Sequence, residues 1–144
     1  MGLDVVAERE IPAPRDRVAA FASDPANDTA WIGGIKRVKV LTEGEIGVGT
    51  RVERTASFMG RSFDYVLEVE DYEPGRRLAM RSVKAPFPMT VAYEFEDAGE
   101  RTLARVRVGG NPGRVYSIAG PLMDAAVRRN LAADLKRLAG LVTS

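Results

Sequence analysis

The chain changes its hydrophobic period at one cluster of strand- and helix-breaking residues, Gly109 to Gly113. Before this cluster, apolar residues alternate with polar ones over short segments, which is typical of strands that bury one face. After it, apolar residues recur every three or four positions, which predicts an amphipathic helix. Because the helix is the one large element available to cover the sheet, we expect it to lie across the apolar face of the strands.

The segment after the cluster predicts a helix from Arg114 to Val142, spanning roughly 44 Å. Its second half carries an apolar seam at helical spacing, formed by Val127, Leu131, Leu135, Leu138 and Val142. In the first half the apolar residues do not fall on this seam. Pro121 predicts a bend there, because proline removes a helix hydrogen bond. We interpret the basic side of the helix as a solvated face, formed by Arg128, Arg129, Lys136 and Arg137.

The segments before the cluster predict an antiparallel sheet. Leu3 to Glu10 alternates as a first strand, and Pro14 and Pro25 each open one of the two short helices that follow. Short turns then join strands at residues 35–42, 50–58, 63–69, 78–83, 91–96 and 104–108, so neighbouring strands are antiparallel. The predicted fold class is α+β, with a curved antiparallel sheet of about 6–7 strands and the C-terminal helix packed across it, in one domain covering residues 1–144.

The composition excludes several classes of site. The 144 residues include no cysteine and no histidine. Disulfides, Cys-His and Ser-His-Asp nucleophilic sites, and zinc sites with thiolate or imidazole ligands are therefore excluded. No spacing typical of an EF-hand occurs, and we expect no metal and no cofactor. The net charge of +1 argues against a nucleic-acid partner.

The N-terminal segment and the hydropathy predict a cytoplasmic protein. The first residues lack the basic and apolar regions of a signal peptide. No stretch reaches the roughly 18 apolar residues that a membrane span needs. We therefore expect no stable insertion into a membrane.

Several short motifs occur along the chain in a characteristic order: Ile11–Pro14 before a helix with Val18 and Phe21, then Ser23–Pro25, Trp31, Gly47–Arg51, Tyr72–Leu78 and Tyr93–Glu96. In this order they resemble the START-like polyketide cyclase/dehydrase superfamily, which includes the birch pollen allergen. The resemblance covers nearly the whole chain. It implies a helix-grip fold with an apolar cavity between the sheet and the last helix. Members of the superfamily bind lipids, steroids or polyketides, and some cyclise or dehydrate them.

One carboxylate is a candidate for acid–base chemistry in such a cavity. Asp124 shares the helical stripe of Leu131 and Leu138, so it either faces the cavity or is turned outward by the bend to pair with Arg128. A carboxylate that faces an apolar cavity has a raised pKa and can move a proton.

Two tyrosines and one arginine are the other candidates. Tyr65 and Tyr93 lie on the apolar faces of their strands, where each either offers its hydroxyl to a ligand oxygen or packs as a core tyrosine. Arg54 is in register with Val52 and Ala56. It therefore either points inward, where it would bind a carboxylate or an enolate, or extends out to water.

The candidate ligand-binding residues are large apolar, aromatic or sulfur-containing side chains. They are Trp31, Phe58, Tyr65, Met80, Phe87, Met89, Tyr93, Met123 and Val127. Methionine adapts to irregular shapes and suits a cavity wall. The alternative for each of them is ordinary core packing.

Three functions are compatible with these observations. The first is binding of a small apolar molecule in the cavity. The second is an enzyme of the polyketide cyclase or dehydratase type, which cationic or titratable groups converging in the cavity would favour. The third is a regulator that binds a protein partner, which an exposed apolar patch would favour. Both a monomer and a homodimer are compatible with the sequence.

Overall fold

The protein, described here by a computed structural model over residues 2–58 and 60–144, has the helix-grip fold. Its elements are β1 (Leu3–Ile11), α1 (Arg15–Ser23), a 3-10 turn (Pro25–Asn27), α2 (Asp28–Trp31), β2 (Ile35–Val40), β3 (Arg51–Phe58), β4 (Arg61–Glu73), β5 (Arg77–Lys84), β6 (Met89–Ala98), β7 (Arg101–Gly110) and α3 (Arg114–Thr143). The side chains of Phe58 and of residues 115–117 lie outside the described residues, as does Met59.

The described strands form one antiparallel sheet in the order β1-β7-β6-β5-β4-β3-β2. Bulges at Lys36 in β2, at Glu70 in β4 and at Val83 in β5 bend the sheet, because each leaves one residue without a partner in the ladder. The two edges are β1 and β2. Three exposed basic residues on β2, Lys36, Arg37 and Lys39, disfavour pairing of that edge with another chain.

The concave face of the sheet is apolar, as alternation predicts. On β6, for example, Val91, Tyr93 and Phe95 are buried. The convex face carries cross-strand ion pairs such as Arg107 with Asp4, whose atoms lie 2.7 Å apart. The sheet therefore has one face for the core and one for water.

The helix α3 covers the concave face by lying along β1 and contacting α1 and α2. Its buried seam consists of Leu131, Leu135, Leu138 and Val142, as the spacing predicts. The bend is centred on Ala119, whose backbone is non-helical (φ −120°, ψ 21°), two residues before Pro121. Proline restricts the residues just before it, which explains why the break precedes the proline itself.

Several predicted boundaries differ from the structure, among them those of the fourth strand and of the second short helix. The fourth strand is longer than its alternating part, Arg61–Glu73 rather than 63–69, because pairing with β3 and β5 extends it past the end of the pattern. The second short helix is divided into the 3-10 turn and the single turn α2, with Asp24 accepting a hydrogen bond from the backbone N–H of Ala26.

Candidate functional site

A buried polar cluster lies on the concave face of the sheet, where β3, β4 and β6 contribute one side chain each. Arg54 points inward and is only 3% exposed, and Tyr65 lies directly opposite it on β4. Tyr93 on β6 is also buried. Alternation fixes these orientations, because Arg54 is in register with the buried Val52 on the same strand.

Asp28 joins this cluster from α2, above the sheet. Its Oδ2 accepts hydrogen bonds from Nε and Nη2 of Arg54, at 3.0 and 2.9 Å. The Nη2 group of Arg54 also donates to the hydroxyl oxygen of Tyr93 at 3.0 Å. Both members of the ion pair have side chains less than 5% exposed, at 4% for Arg54 and 3% for Asp28. The carboxylate thus holds the guanidinium against the tyrosine.

Burial and mutual contact set the protonation of these groups. Burial alone would lower the pKa of Arg54, but Tyr93, Asp28 and Tyr65 together hold that pKa above its usual range. Burial raises the pKa of Tyr93, so its hydroxyl keeps its proton at neutral pH. Burial also raises the pKa of Asp28, and the charge of Arg54 opposes that rise. The cluster therefore presents a permanent cation beside a neutral hydroxyl.

Two hydrogen-bond donors of the cluster have no acceptor among the described residues. The indole ring of Trp31 meets the ring of Tyr93 edge to face, with centroids 5.3 Å apart. Its Nε1–H is buried and donates to no described group. The hydroxyl of Tyr93 accepts from Arg54, and no described group accepts its proton. A buried donor without an acceptor costs about 1–3 kcal/mol, so this arrangement favours a ligand that supplies one.

The arrangement suits an incoming oxygen atom. A carbonyl, enolate or carboxylate oxygen beside Trp31 and Tyr93 would receive two neutral hydrogen bonds near the guanidinium of Arg54. Asp28 is an orienting group and not a free base, because both contacts of its Oδ2 are to Arg54.

The second half of α3 holds α2, and with it Asp28 and Trp31, in place. Nε of Arg137 donates to the backbone carbonyl of Trp31 at 3.1 Å, and Asp134 accepts from the backbone N–H of Gly33 at 3.0 Å. Arg137 also pairs with Asp134 at 2.5 Å. Arg137 is exposed, as the prediction of a solvated basic face has it, and it also binds the end of α2.

The other candidate wall residues are distributed over the interior and its rim. Met80, Met123 and Val127 are buried, while Met89 and Phe87 are half-buried. Phe87 lies in the loop between β5 and β6, against Gly110. The side chain of Phe58 lies outside the described residues. Asp124 is half-buried on α3, and its part in any chemistry stays a prediction.

Two of the concavities on the surface of the described part of the chain lie near α3 and near α1. One of about 410 Å³ lies between the α2–β2 connection, the end of β3 and α3, and its lining includes Gly34, Ser57, Ala126 and Asn130. The other, of about 540 Å³, is lined by charged residues near Arg15 and Asp97. We regard the smaller one as more relevant, because it opens on the gap between α3 and the concave face of the sheet.

Sequence reasoning did not find Asp28. Asp24, four residues earlier, already serves as the cap of the 3-10 turn. The only signal was an aspartate three residues before the single tryptophan, in a helix too short to show a face. Asp28 and Arg54 are 26 positions apart in the chain, so their hydrogen bond forms only in the tertiary structure.

A family profile described as polyketide cyclase / dehydrase and lipid transport matches residues 3–143. No curated protein matches the chain. No helix in the described part of the chain combines the length and hydropathy needed to cross a membrane.

Solved structures with low sequence identity share the fold. A protein from Thermus thermophilus superimposes with a TM-score of 0.85 at 23% identity, covering 98% of this chain and 97% of that one. The Zhui aromatase/cyclase of Streptomyces gives a TM-score of 0.82 at 20% identity, covering 99% and 94%. A point mutant of norcoclaurine synthase from Thalictrum, in complex with a transition-state analogue, gives 0.74 at 15% identity, covering 99% and 95%. At these identities the likeness concerns the fold.

Proposed function

This chain belongs to the polyketide cyclase / dehydrase and lipid transport family, and we propose that it binds a small, largely apolar molecule through an oxygen atom of that molecule. The binding region is the concave face of the sheet beneath α3. The observation that carries this proposal is the donor group formed by Trp31 and Tyr93 beside the guanidinium of Arg54.

The cluster is better explained by a ligand than by stability. A buried ion pair contributes little net stability, because taking two charges out of water offsets most of their attraction. Apolar residues at positions 28 and 54 would fill the same space without the free-energy cost of burying two charges. The unsatisfied N–H of Trp31 adds a further penalty that an oxygen of a ligand would remove.

The surrounding side chains suit an apolar body attached to that oxygen. Met80 on β5 and Met123 and Val127 on α3 are buried. Two of these three are methionines, which repack around irregular shapes at low cost. The interior side chains are almost fully buried, so we expect binding to displace some of them. The concavity beside Ala126 and Asn130 is the entry route we propose.

A matched pair of probes tests the role of the oxygen. α-Tetralone and tetralin share a bicyclic apolar frame, and only the former carries a carbonyl. We expect the protein to bind α-tetralone about tenfold more tightly in isothermal titration calorimetry, since each hydrogen bond to a buried donor is worth about 1 kcal/mol. Equal affinities for the two probes would contradict the proposal.

Variants test which side chains donate to the oxygen of the ligand. Trp31→Phe keeps an aromatic ring and removes the N–H, so it should abolish most of the preference for α-tetralone while tetralin binding is retained. Tyr93→Phe should act in the same way. Tyr72→Phe is the matched control, because Tyr72 is half-buried and makes no contact with Arg54 among the described residues. A loss of preference in the Tyr72 variant would place the contact elsewhere.

The convergence of a cation and two donors also supports the second candidate function, an enzyme of the cyclase or dehydratase type. Such donors would stabilise the oxygen of an enolate, which forms when solvent water or hydroxide takes a proton from the carbon next to a carbonyl. The test is exchange of the α-protons of α-tetralone in D2O, followed by proton NMR. Exchange accelerated by the protein and lost in Arg54→Met with Asp28→Leu would support the enzyme, whereas binding without exchange would support a carrier.

A further inference from the structure

The end of the sheet where α3 begins differs from the rest of the surface in charge. The β3–β4 hairpin closes there, with Phe58 paired to Arg61, and β5 ends there at Lys84. The loop that follows β5 contacts the β7–α3 connection, since the N–H of Asn111 donates to the carbonyl of Pro88 at 3.0 Å. We call this region, residues 60–63, 84–90 and 109–122, the α3 entry end.

The α3 entry end carries an excess of positive charge, because Asp4, which lies opposite Gly109, is paired with Arg107. Its segments contain three exposed basic residues, Arg61, Lys84 and Arg114, and no aspartate or glutamate. None of these three side chains forms an ion pair with a described residue. At the opposite end of the sheet the turns carry acidic and basic residues together, such as Glu73 with Arg76, which are 3.9 Å apart. The charge asymmetry thus belongs to one end of the fold, although the net charge is only +1.

Two large apolar side chains project from the same end into water. Ile118 is 87% exposed and Leu122 is 72% exposed. They flank the break at Ala119, and Arg114 lies in the same first part of α3. Single exposed apolar residues are ordinary, but two within five positions beside unpaired basic residues have the character of an interfacial segment.

We propose that the α3 entry end docks reversibly on the surface of an anionic lipid bilayer. Ile118 and Leu122 would enter the boundary between headgroups and acyl chains, while the three basic side chains contact lipid phosphates. A second copy of the chain is a poorer occupant, because a symmetric contact would bring the same unpaired basic residues against one another. Docking in this orientation would place the half-buried Phe63, whose ring lies 5.6 Å from that of Tyr65, between the bilayer and the buried polar cluster.

Vesicle co-sedimentation of the full chain tests this docking. The probes are vesicles of phosphatidylcholine alone and of phosphatidylcholine with about 30% phosphatidylglycerol. We expect binding to the anionic vesicles only, weakening as NaCl increases because salt screens exposed charges. No ligand is added, so the result is independent of the binding function proposed above. Absence of binding to both vesicles would overturn the docking proposal.

Two pairs of variants separate local docking from general attraction. Ile118→Gln with Leu122→Gln should weaken binding about tenfold or more, since each buried apolar side chain contributes that much. Its control is Val48→Gln, which changes a residue 71% exposed at the opposite end. Neutralising Arg61, Lys84 and Arg114 to glutamine should weaken binding by roughly tenfold or more. Its control neutralises Arg9, Arg17 and Lys136, which are exposed and lie on β1, α1 and the second half of α3, away from this end.

Three outcomes would contradict the proposal. The first is equal loss in the two triple variants, which would mean that binding follows total charge alone. The second is unchanged binding of the Ile118/Leu122 variant. The third is self-association of the wild type, measured by sedimentation equilibrium and removed by the Ile118/Leu122 variant, which would assign this face to a second copy of the chain.

Discussion

The two halves of α3 belong to one helix but differ in what they contact. The half that ends at Val142 buries Leu135 and Leu138 almost completely, while the half that begins at Arg114 leaves Ile118 and Leu122 in water. The helix lies along β1 and contacts α1 and α2, and the break at Ala119 separates its first residues, including Ile118, from the rest. An apolar residue at helical spacing therefore anchors the fold only where another element faces it.

The second half also does more than cover the sheet. Through Asp134 and Arg137 it holds the segment from Trp31 to Gly33. That segment begins at the last residue of α2, so the position of Asp28 above Arg54 depends on α3. The contact between Arg137 and Trp31 spans 106 positions of the chain. We expect stability to respond to changes in the second half and surface binding to changes in the first.

The largest expected effect on stability comes from a substitution in the buried seam of α3. Leu138→Ala should lower the free energy of unfolding by about 2–5 kcal/mol, because Leu138 is fully buried and leaves a cavity. Urea denaturation followed by circular dichroism measures the change. Leu141→Ala is the matched control at 41% exposure and should change it by less than about 1 kcal/mol. Equal losses in the two variants would mean that the seam is not the anchor.

A smaller effect is expected where α3 holds α2. Arg137→Met should lower the free energy of unfolding by about 1 kcal/mol, a value reduced because the side chain is 44% exposed. The fluorescence of Trp31, the single tryptophan, should shift to longer wavelength as its backbone loses this contact. Lys136→Met, an exposed neighbour, should change neither property. An unshifted spectrum in the Arg137 variant would show that α2 is held by other contacts.

The pH dependence of stability should carry a contribution from Asp134. Burial raises the pKa of Asp134 above the ordinary 3.8, with the Gly33 N–H and Arg137 opposing the rise. A raised carboxyl pKa stabilises the folded protein most below the unfolded-state value, and this stabilisation is lost as pH rises through the folded-state value. The stability of the wild type relative to Asp134→Asn should therefore fall as the pH rises from below the ordinary value of 3.8 to above it. If the difference in free energy of unfolding between the two proteins, measured by urea denaturation, stayed constant or rose with pH, the prediction would be wrong.

The smallest expected effect is in the first half of α3. Ile118→Gln with Leu122→Gln should change the free energy of unfolding by less than about 0.5 kcal/mol, because both side chains already lie in water and glutamine favours helices. The same urea denaturation measures it. A loss of several kcal/mol would show that the first half anchors the fold as the second half does, and would remove the contrast between them.

Much of the fold follows from the sequence because its signals are local. Alternation placed Arg54 and Tyr93 on the concave face, and the helical spacing gave the buried seam of α3. The extended bounds of β4 could not be predicted, because pairing with β3 and β5 on either side determines them. For the candidate site, the inward alternative for Arg54 matches its position in the structure, while the role of each site residue stays a prediction.

By itself, the sequence determined the elements and the end at which the chain passes from sheet to helix, because side-chain periods of two and 3.6 are properties of neighbouring residues. Only the tertiary structure decided what those elements bring together. Arg54 meets Asp28 and Tyr93, which are 26 and 39 positions away, and Arg61, Lys84 and Arg114 share one end of the fold. The physical reason is that contacts and electrostatic fields depend on distance in space, whereas hydrophobic periodicity depends on distance along the chain.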